Sequence, residues 1–295
     1  MESALPIDDA RSRPARAVAH LKEVRRRAKS GTPTIVAWPA YGWLEGVLWG
    51  GSANRTWVVA HDPIPIRKQA FSGTFSKKLA KRFSRVQWIS HTSAAAEATE
   101  SELGFRPLVA LHPILTEQHP RLQSVQERKV VTVLGQFKPS RNLDVLTDLA
   151  AGLEPDRYRL QIVGRGWPAV PGWTVTNRFV SESELDGVLA KSDAVVIPYR
   201  KYWQSGIAVR AIEHGAQVVG EETEFLIHLA GRQYPGIVSS SDDQPWVDAV
   251  RRVTDRPEAA SDMHLRYRTL VDESWSRVLE SIVSNSPNRP VMGGK

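Results

Sequence analysis

Basic and glycine residues occupy two predicted loops, and each loop follows an apolar segment that is typical of a buried strand. The loops span residues 135–142 and 199–206, and they contain these cations: Lys138, Arg141, Arg200 and Lys201. Each loop leads into a segment with helical apolar spacing, so free backbone amides and a positive helix dipole would lie beside the cations. Cations and helix N-termini are the usual partners of phosphate. The pattern therefore predicts a pocket for a diphosphate.

The order of elements over residues 130–220 is strand, loop, helix, strand, turn, strand, helix and strand. A capping box, Ser181 with Glu184, marks the start of the second helix. Strands that alternate with helices build a parallel sheet, and ligands bind at the carboxyl ends of its strands. We therefore expect both cationic loops at the same edge of one sheet.

The segment GRGWPA at residues 164–169 matches the dinucleotide fingerprint Gly-x-Gly-x-x-Ala. That fingerprint requires a helix to begin within the motif. Pro168, Pro171 and Gly172 prevent a regular helix, and a strand is predicted at 173–175 instead. A nicotinamide-dependent enzyme is therefore disfavoured.

The first part of the chain repeats the alternation on a smaller scale. Strands are predicted at 34–38, 57–60, 86–90 and 108–111, and helices at 13–29, 74–84 and 93–103. A polar stretch at 116–128 contains Pro120 and is predicted to be the linker. We expect an α/β protein with two parallel-sheet domains.

Composition narrows the classes of function. The 295 residues carry a formal net charge of +7 and include no cysteine, which excludes disulfides and thiolate sites. The histidines lack metal-ligand spacing and no Asp-x-Asp motif occurs, so we expect no metal and no cofactor. The basic excess has no nucleic-acid motif beside it, so anionic small molecules are the better-supported partners. No apolar run is long enough to span a bilayer and no secretory signal is evident, which predicts a cytoplasmic location.

Four segments, taken in order, resemble the donor domain of GT-B glycosyltransferases, and most of all the retaining family-4 enzymes. They are GQFKPSRN from residue 135, LQIVGRG from 160, NRFVSESELDGVLAKSDAVVIPY from 177 and SGIAVRAIEHGAQVVG from 205. The first domain resembles theirs more loosely, through VVAHDP, WISHTS and LHPIL. The resemblance implies two Rossmann-like domains facing a cleft, with a compact N-terminal domain. It assigns residues 1–125 to the acceptor side and residues 126–295, including the C-terminal helices, to binding of a nucleotide-diphosphate sugar.

The resemblance also implies two groups of site residues. The catalytic group would position the sugar and stabilise the departing diphosphate: His61, Lys138 and Arg141. The substrate-binding group would contact the diphosphate, the nucleobase and the ribose: Gly135, Gln136, Arg178, Phe179, Val180, Tyr202, Ser205, Gly206, Arg210 and Glu213. His61 also fits a simpler interpretation as a hydrogen-bonded loop histidine.

One departure from the family pattern leaves two functions open. The family carries Glu-x7-Glu across the last loop and helix, whereas this chain has Tyr202 or Trp203 at the first position and Arg210 at the second. Arginine has no acceptor for ribose hydroxyls, and Glu213 is the nearest acidic substitute. The leading hypothesis is a metal-independent hexosyltransferase that acts with retention on a saccharide or lipid-linked acceptor. The alternative is a catalytically weak homologue that serves as a nucleotide- or saccharide-binding subunit.

Two aromatic patterns each allow two interpretations. Phe75, Leu79 and Phe83 recur at helical spacing beside five cations, as in a helix that contacts anionic lipid at the inner face of a membrane. The same spacing suits a core stripe with a solvated basic flank. The second group can stack on sugars or be buried: Trp38, Tyr41, Trp43 and Trp49.

Overall fold

The computed structural model describes residues 13–30, 33–50, 55–64, 71–119, 128–200, 202–238, 244–256 and 259–284. The described residues divide into two compact units. Unit 1 contains the described residues up to Leu111 and those from Ser274 onward, and unit 2 is His112–Glu273. Lys201 and the predicted domain boundary at 125/126 fall outside the described residues.

Unit 1 is built on a four-stranded parallel sheet with the order β1-β2-β3-β4. The strands are β1 (Thr34–Val36), β2 (Thr56–Val59), β3 (Gln87–Ser90) and β4 (Leu108–Val109). The helices are α1 (Arg13–Ser30), α2 (Glu45–Leu48), α3 (Thr74–Phe83) and α4 (Ser93–Leu103), with a 3-10 turn at Gly42–Leu44 before α2. Because β2 is buried along its whole length, both faces of this sheet are covered.

The end of the last helix contributes to the core of unit 1. Val278 and Ile282 pack with Trp57 and Ile89 on one face of the sheet. Trp275 donates its indole N–H to the Leu111 carbonyl oxygen at 2.9 Å. The division into units therefore differs from the predicted domains, which place all C-terminal residues in the second domain. The apolar periodicity of this helix predicts burial but does not indicate which sheet buries it.

Unit 2 is built on a six-stranded parallel sheet with the order β10-β9-β8-β5-β6-β7. The strands are β5 (Lys129–Leu134), β6 (Tyr158–Val163), β7 (Thr174–Thr176), β8 (Ala194–Ile197), β9 (Gln217–Glu221) and β10 (Ile237–Val238). The helices are α5 (Leu143–Gly152), α6 (Glu182–Leu189), α7 (Gly206–Glu213), α8 (Glu224–Ala230), α9 (Pro245–Thr254) and α10 (Ala259–Ser284). The capping box of Ser181 and Glu184 is confirmed.

The strand order reverses between β5 and β8. From β5 the chain adds β6 and β7 on one side, and it then returns to place β8, β9 and β10 on the other. Ligands of open parallel sheets bind outside the carboxyl ends of the strands at such a reversal. The loops that follow β5 and β8 are the two cationic loops, so the topology places them where a ligand is expected.

Candidate functional site

The two cationic loops are joined by backbone hydrogen bonds. Asn142 N donates to the Pro198 carbonyl oxygen at 2.7 Å, and Arg200 N donates to the Ser140 carbonyl oxygen at 3.1 Å. Arg141 and Tyr199 form an isolated antiparallel bridge between these bonds. The loops after β5 and β8 therefore form one structural unit at the edge of the sheet.

The Arg141 side chain lies inside this unit and is 4% exposed. Its guanidinium carbon lies 4.8 Å from the ring centres of both Trp167 and Tyr199. One terminal nitrogen, Nη2, donates to the Leu134 carbonyl oxygen at 2.5 Å. Burial lowers the pKa of Arg141 from its ordinary value, but arginine stays cationic in proteins. Two aromatic faces and a carbonyl oxygen thus hold a buried positive charge.

No carboxylate among the described residues forms an ion pair with Arg141, and its Nε atom is buried without a hydrogen-bond acceptor in that part of the chain. A buried charge without a counter-ion is destabilising, because the aromatic rings and one carbonyl oxygen replace only part of its hydration. The arrangement is therefore suited to an anion that arrives from outside the chain.

Two glycines allow the strand ends to approach each other closely. Gly135 has a φ of 91°, and Gly164, which ends the neighbouring strand, has a φ of 152°. A β-carbon on Gly164 would lie 2.2 Å from the Gly135 carbonyl oxygen, so only glycine fits there. Trp167 donates its indole N–H to that same oxygen at 2.8 Å. The segment at 164–169 thus packs closely against the start of the loop after β5 and hydrogen-bonds to it.

Helix α7 begins directly after the second cationic loop. Ser205 caps it, with its hydroxyl oxygen accepting the Ala208 N–H at 3.2 Å. The amides of Gly206 and Ile207 then have no intrahelical acceptor, because the first turn of any helix lacks them. A β-carbon on Gly206 would have open space around it apart from the His112 Nε2 atom at 3.8 Å. Main-chain donors, a helix dipole and an imidazole therefore lie together at this point.

The structure gives Arg210 and Glu213 partners within the protein. Arg210 pairs with Glu182 and, at 2.7 Å, with Asp186, both on α6. A carboxylate oxygen of Glu213 accepts the Leu115 amide hydrogen at 2.7 Å, and burial raises the pKa of Glu213. At 1.5 Å per residue, Glu213 lies about 10 Å along α7 from Gly206. Neither side chain is thus directed to the first turn of the helix by the contacts that hold it.

The other predicted substrate-binding residues differ in exposure. Tyr202 is 8% exposed and packs against Phe225, and burial raises its pKa to about 12, so it is a core residue. Phe179 is 74% exposed, whereas Arg178 pairs with Glu184 at 2.5 Å. Gln136 and Lys138 lie in the loop after β5, and Val180 lies in the loop after β7. The Gln136 side-chain oxygen accepts a hydrogen bond from Arg165 at 3.3 Å, and Lys138 and Val180 are half-buried.

His61 lies in unit 1 at the carboxyl end of β2. Its ring nitrogen Nε2 is 2.6 Å from the Ala37 carbonyl oxygen, and its ring centre is 4.4 Å from that of Trp38. Burial lowers the pKa of His61 below its ordinary value of 6.5, although Ala37 and Asp62 act in the opposite direction. The imidazole is therefore neutral at neutral pH.

The same end of the unit 1 sheet contains a cavity of about 350 Å³ lined in part by Trp43, Trp88, His61 and Asp62. Trp38 also lines it and is 78% exposed, whereas Trp43 and Trp49 are buried. The tryptophans thus divide between the two interpretations given above, burial and stacking on a sugar. Trp43 and Trp49 are core residues, and Trp38 presents its ring to solvent beside His61.

Two further residues lie at these strand ends, and no sequence motif indicates that either belongs to the site. The Nδ1–H group of His112 donates to the Pro113 carbonyl oxygen at 2.9 Å, and its other nitrogen, Nε2, faces Gly206. Glu221 ends β9, the strand beside β8, and burial raises its pKa while Arg200 lowers it. The segment LHPIL signals a loop at 112, but only the folded chain shows that it meets α7.

Within the described ranges, no three histidine or acidic residues are grouped so that they could hold a metal ion. In those same ranges, no helix has the length and apolar character needed to cross a bilayer.

Comparison with known proteins shows similarity in structure only. No family model matches the chain, and no curated protein matches its sequence. Solved structures do match the fold of this chain. HepE from Anabaena, determined with UDP and glucose, matches with a TM-score of 0.69 and 15% identity over 95% of this chain and 84% of HepE. Sucrose-phosphate synthase from Thermosynechococcus elongatus matches with a TM-score of 0.64 and 16% identity over 96% of this chain and 82% of the synthase.

The TarM protein of S. aureus, determined with UDP and saccharide ligands, matches with a TM-score of 0.58 and 13% identity. That match covers 79% of this chain and 51% of TarM, so the chain spans about half the length of TarM. At these identities the likeness establishes the fold. The predicted fold class, α/β with two Rossmann-like sheets of the GT-B type, is confirmed.

Proposed function

We propose that this protein is a glycosyltransferase that takes a sugar from a nucleotide-diphosphate donor. The observation that carries the proposal is the buried Arg141, which has no carboxylate partner among the described residues and lies at the strand-order reversal of unit 2. An anionic ligand there would supply the counter-charge that the protein does not. The structural neighbours determined with UDP support the same ligand class.

The diphosphate is proposed to lie at the N-terminus of α7, beside the loop after β5. The amides of Gly206 and Ile207 and the helix dipole would bind one phosphate. Arg141 and Lys138 would neutralise charge from the other side. His112 donates through Nδ1 to the Pro113 carbonyl oxygen, so it would be a third donor, through Nε2, in its protonated, cationic form. This donor set needs no protein-bound metal to balance the diphosphate charge.

In the proposed reaction, the bond between the anomeric carbon and the phosphate oxygen breaks as a bond to the acceptor hydroxyl oxygen forms. Negative charge then develops on the departing diphosphate, where fixed positive groups lower the barrier. With retention, which we propose from the family-4 resemblance, an oxygen of the leaving phosphate takes the proton of the acceptor hydroxyl. This route requires no separate base from the protein.

The acceptor side is proposed to be the unit 1 cavity. A neutral His61 donates its Nε2–H to the Ala37 carbonyl oxygen, so toward a sugar hydroxyl it can act only as an acceptor, through Nδ1. The exposed Trp38 ring beside it offers a face for stacking. A saccharide, free or lipid-linked, fits this combination of aromatic and polar groups. We place the reaction in the cytoplasm, as the sequence predicts.

A second candidate is a binding subunit with weak or no catalysis. The partners of Arg210 and Glu213 favour it, because both side chains are engaged within the protein and neither is held toward the first turn of α7. Such a protein would bind the nucleotide without a carboxylate grip on the ribose.

A donor screen separates these functions. The shift in melting temperature is measured with nucleoside diphosphates and their sugar conjugates, and hits are then assayed for sugar release and transfer. The proposal predicts stabilisation by at least one nucleotide sugar and turnover of that compound. Stabilisation without turnover would favour the binding subunit, and no stabilisation by any nucleotide would overturn both.

A further inference from the structure

Helix α3 of unit 1 exposes aromatic side chains to solvent. Phe75 is 72% exposed and Phe83 is 50% exposed, whereas Ser76 and Ala80 form the buried face of the helix. Leu79 is half-buried. The apolar stripe predicted from the sequence is therefore divided, with the phenylalanines facing solvent while the small residues meet the core. Isolated exposed apolar residues are ordinary, but two phenylalanines on one short helix form a patch.

Cations surround these rings. Lys78, Lys81, Arg82 and Arg85 are all exposed, and the Arg82 guanidinium carbon lies 5.5 Å from the centre of the Phe83 ring. The helix contains no acidic residue. Phe75, Lys78 and Arg82 are three and seven positions apart, which places them on one side of the helix.

Four cations on α3 or just after it form no ion pair with a described carboxylate, unlike other cations of unit 1. No carboxylate among the described residues forms an ion pair with Lys78, Lys81, Arg82 or Arg85. Elsewhere in the unit, Arg26 and Arg27 pair with Glu23, and Arg106 pairs with Glu97 and Glu100. Among the described residues, the ion pair that α3 does form joins Lys77 to Glu102 on α4, so it lies on the side of α3 that faces α4.

We propose that this face of α3, defined by Phe75, Phe83, Lys78 and Arg82, docks on an anionic lipid bilayer. Exposed aromatic rings insert at the boundary between headgroups and acyl chains, and flanking cations bind the anionic headgroups. The surface is positive and aromatic at once, so its charge is complementary to an anionic leaflet. Docking would bring the protein to lipid-linked acceptors, but it depends on the surface alone and not on the proposed transfer.

The test is co-sedimentation of the full chain with vesicles, without any nucleotide. Vesicles of phosphatidylcholine alone are compared with vesicles of phosphatidylcholine and phosphatidylglycerol in equal parts. The protein is expected to pellet with the anionic vesicles and to be released as salt rises from about 0.1 M to about 1 M. Equal pelleting with both vesicle types, or none with either, would overturn the proposal.

Paired variants locate the contact. Phe75→Ser/Phe83→Ser and Lys78→Glu/Arg82→Glu are each expected to lower the vesicle partition coefficient by about tenfold or more. The apolar control is Leu265→Ser/Leu279→Ser, which removes two side chains that are 65% and 46% exposed on α10. The charge control is Lys191→Glu/Arg256→Glu, which changes two exposed cations of unit 2 by the same net charge.

Both controls should bind vesicles as the parent chain does, and melting curves verify that every variant is folded. If the α3 variants bind as well as the controls, the docking face is not on α3. If they lose affinity for duplex DNA but keep affinity for vesicles, the occupant is nucleic acid and the lipid proposal fails.

Discussion

The guanidinium group of Arg141 is held between the rings of Trp167 and Tyr199, with its carbon 4.8 Å from each ring centre. Trp167 extends from the turn after β6, and Tyr199 follows β8. One side chain thus connects three neighbouring strand ends at the carboxyl edge of the sheet. These contacts hold the loop at residues 135–142 against its neighbours. Arg141 therefore both stabilises the loop and is a candidate for binding the diphosphate.

Replacing Arg141 with methionine separates these two roles. Arg141→Met keeps the packing volume and removes an uncompensated buried charge, so we expect a melting temperature equal to or above that of the parent. Binding of the nucleoside diphosphate should weaken by about tenfold to a hundredfold, since a charge-assisted contact is worth about 1.5–3 kcal/mol. Thermal melts and titration calorimetry measure the two effects. Unchanged affinity would show that Arg141 is structural only.

Trp167 is predicted to affect binding through its contacts with Arg141 and Gly135. Trp167→Phe removes the indole hydrogen bond and weakens the cation–π contact, which together should cost about 1–2 kcal/mol of stability. Nucleotide affinity should fall at least fivefold, because the loop after β5 loses its support.

Trp173→Phe is the matched control for Trp167→Phe. Trp173 donates its indole N–H to the Leu146 carbonyl oxygen at 2.8 Å, away from the cationic loops. The Trp173→Phe variant should lose about 1 kcal/mol of stability with no change in nucleotide affinity. Equal effects of both substitutions on affinity would mean that Trp167 acts through global stability.

The pairing of Arg210 with α6 predicts a structural effect when it is removed. Arg210→Met should destabilise the protein by about 1 kcal/mol, since the pairs with Asp186 and Glu182 are partly solvated. Nucleotide affinity should stay within about twofold of the parent because these contacts do not direct the side chain to Gly206. Denaturant unfolding and calorimetry give both values. A large loss of affinity at unchanged stability would restore the substrate-binding role predicted from the sequence.

Stability should fall as the solution is acidified through the ordinary histidine range. Burial lowers the pKa values of His61, His214 and His264 from 6.5, so below that pH the unfolded chain takes up more protons than the folded chain. The free energy of unfolding therefore decreases as pH falls from neutral through 6.5 toward the folded-state pKa values. His264→Gln should reduce this slope. Stability that increases over the same interval would contradict the lowered pKa values.

The sequence predicted the elements of unit 2 well because local signals agree there. The capping box at Ser181, the glycine turn at Gly164 and the apolar strand before Pro198 each indicate the element that forms. Strand alternation then predicts the parallel sheet. The position of the two cationic loops at one edge follows from that topology and from no single residue.

The partners of individual side chains could not be predicted in the same way. Glu213 and Leu115 are 98 positions apart, and their hydrogen bond depends on the path of the chain. Nothing in the sequence around Arg141 predicts that its side chain is buried between two aromatic rings. Likewise, the spacing of Phe75 and Phe83 predicts one helix face, but only the packing of Ala80 against the core shows that the rings remain exposed.

The most direct test of the central claim is nucleoside diphosphate binding by Gly206→Val, measured by calorimetry beside Gly187→Val. Both positions are helical and have room for a β-carbon, so both variants should fold, but only the first places a side chain over the N-terminus of α7. If the diphosphate lies at α7, Gly206→Val should lose binding by at least a hundredfold while Gly187→Val binds as the parent chain does. Equal, undiminished binding by both variants would show that the diphosphate does not lie at α7.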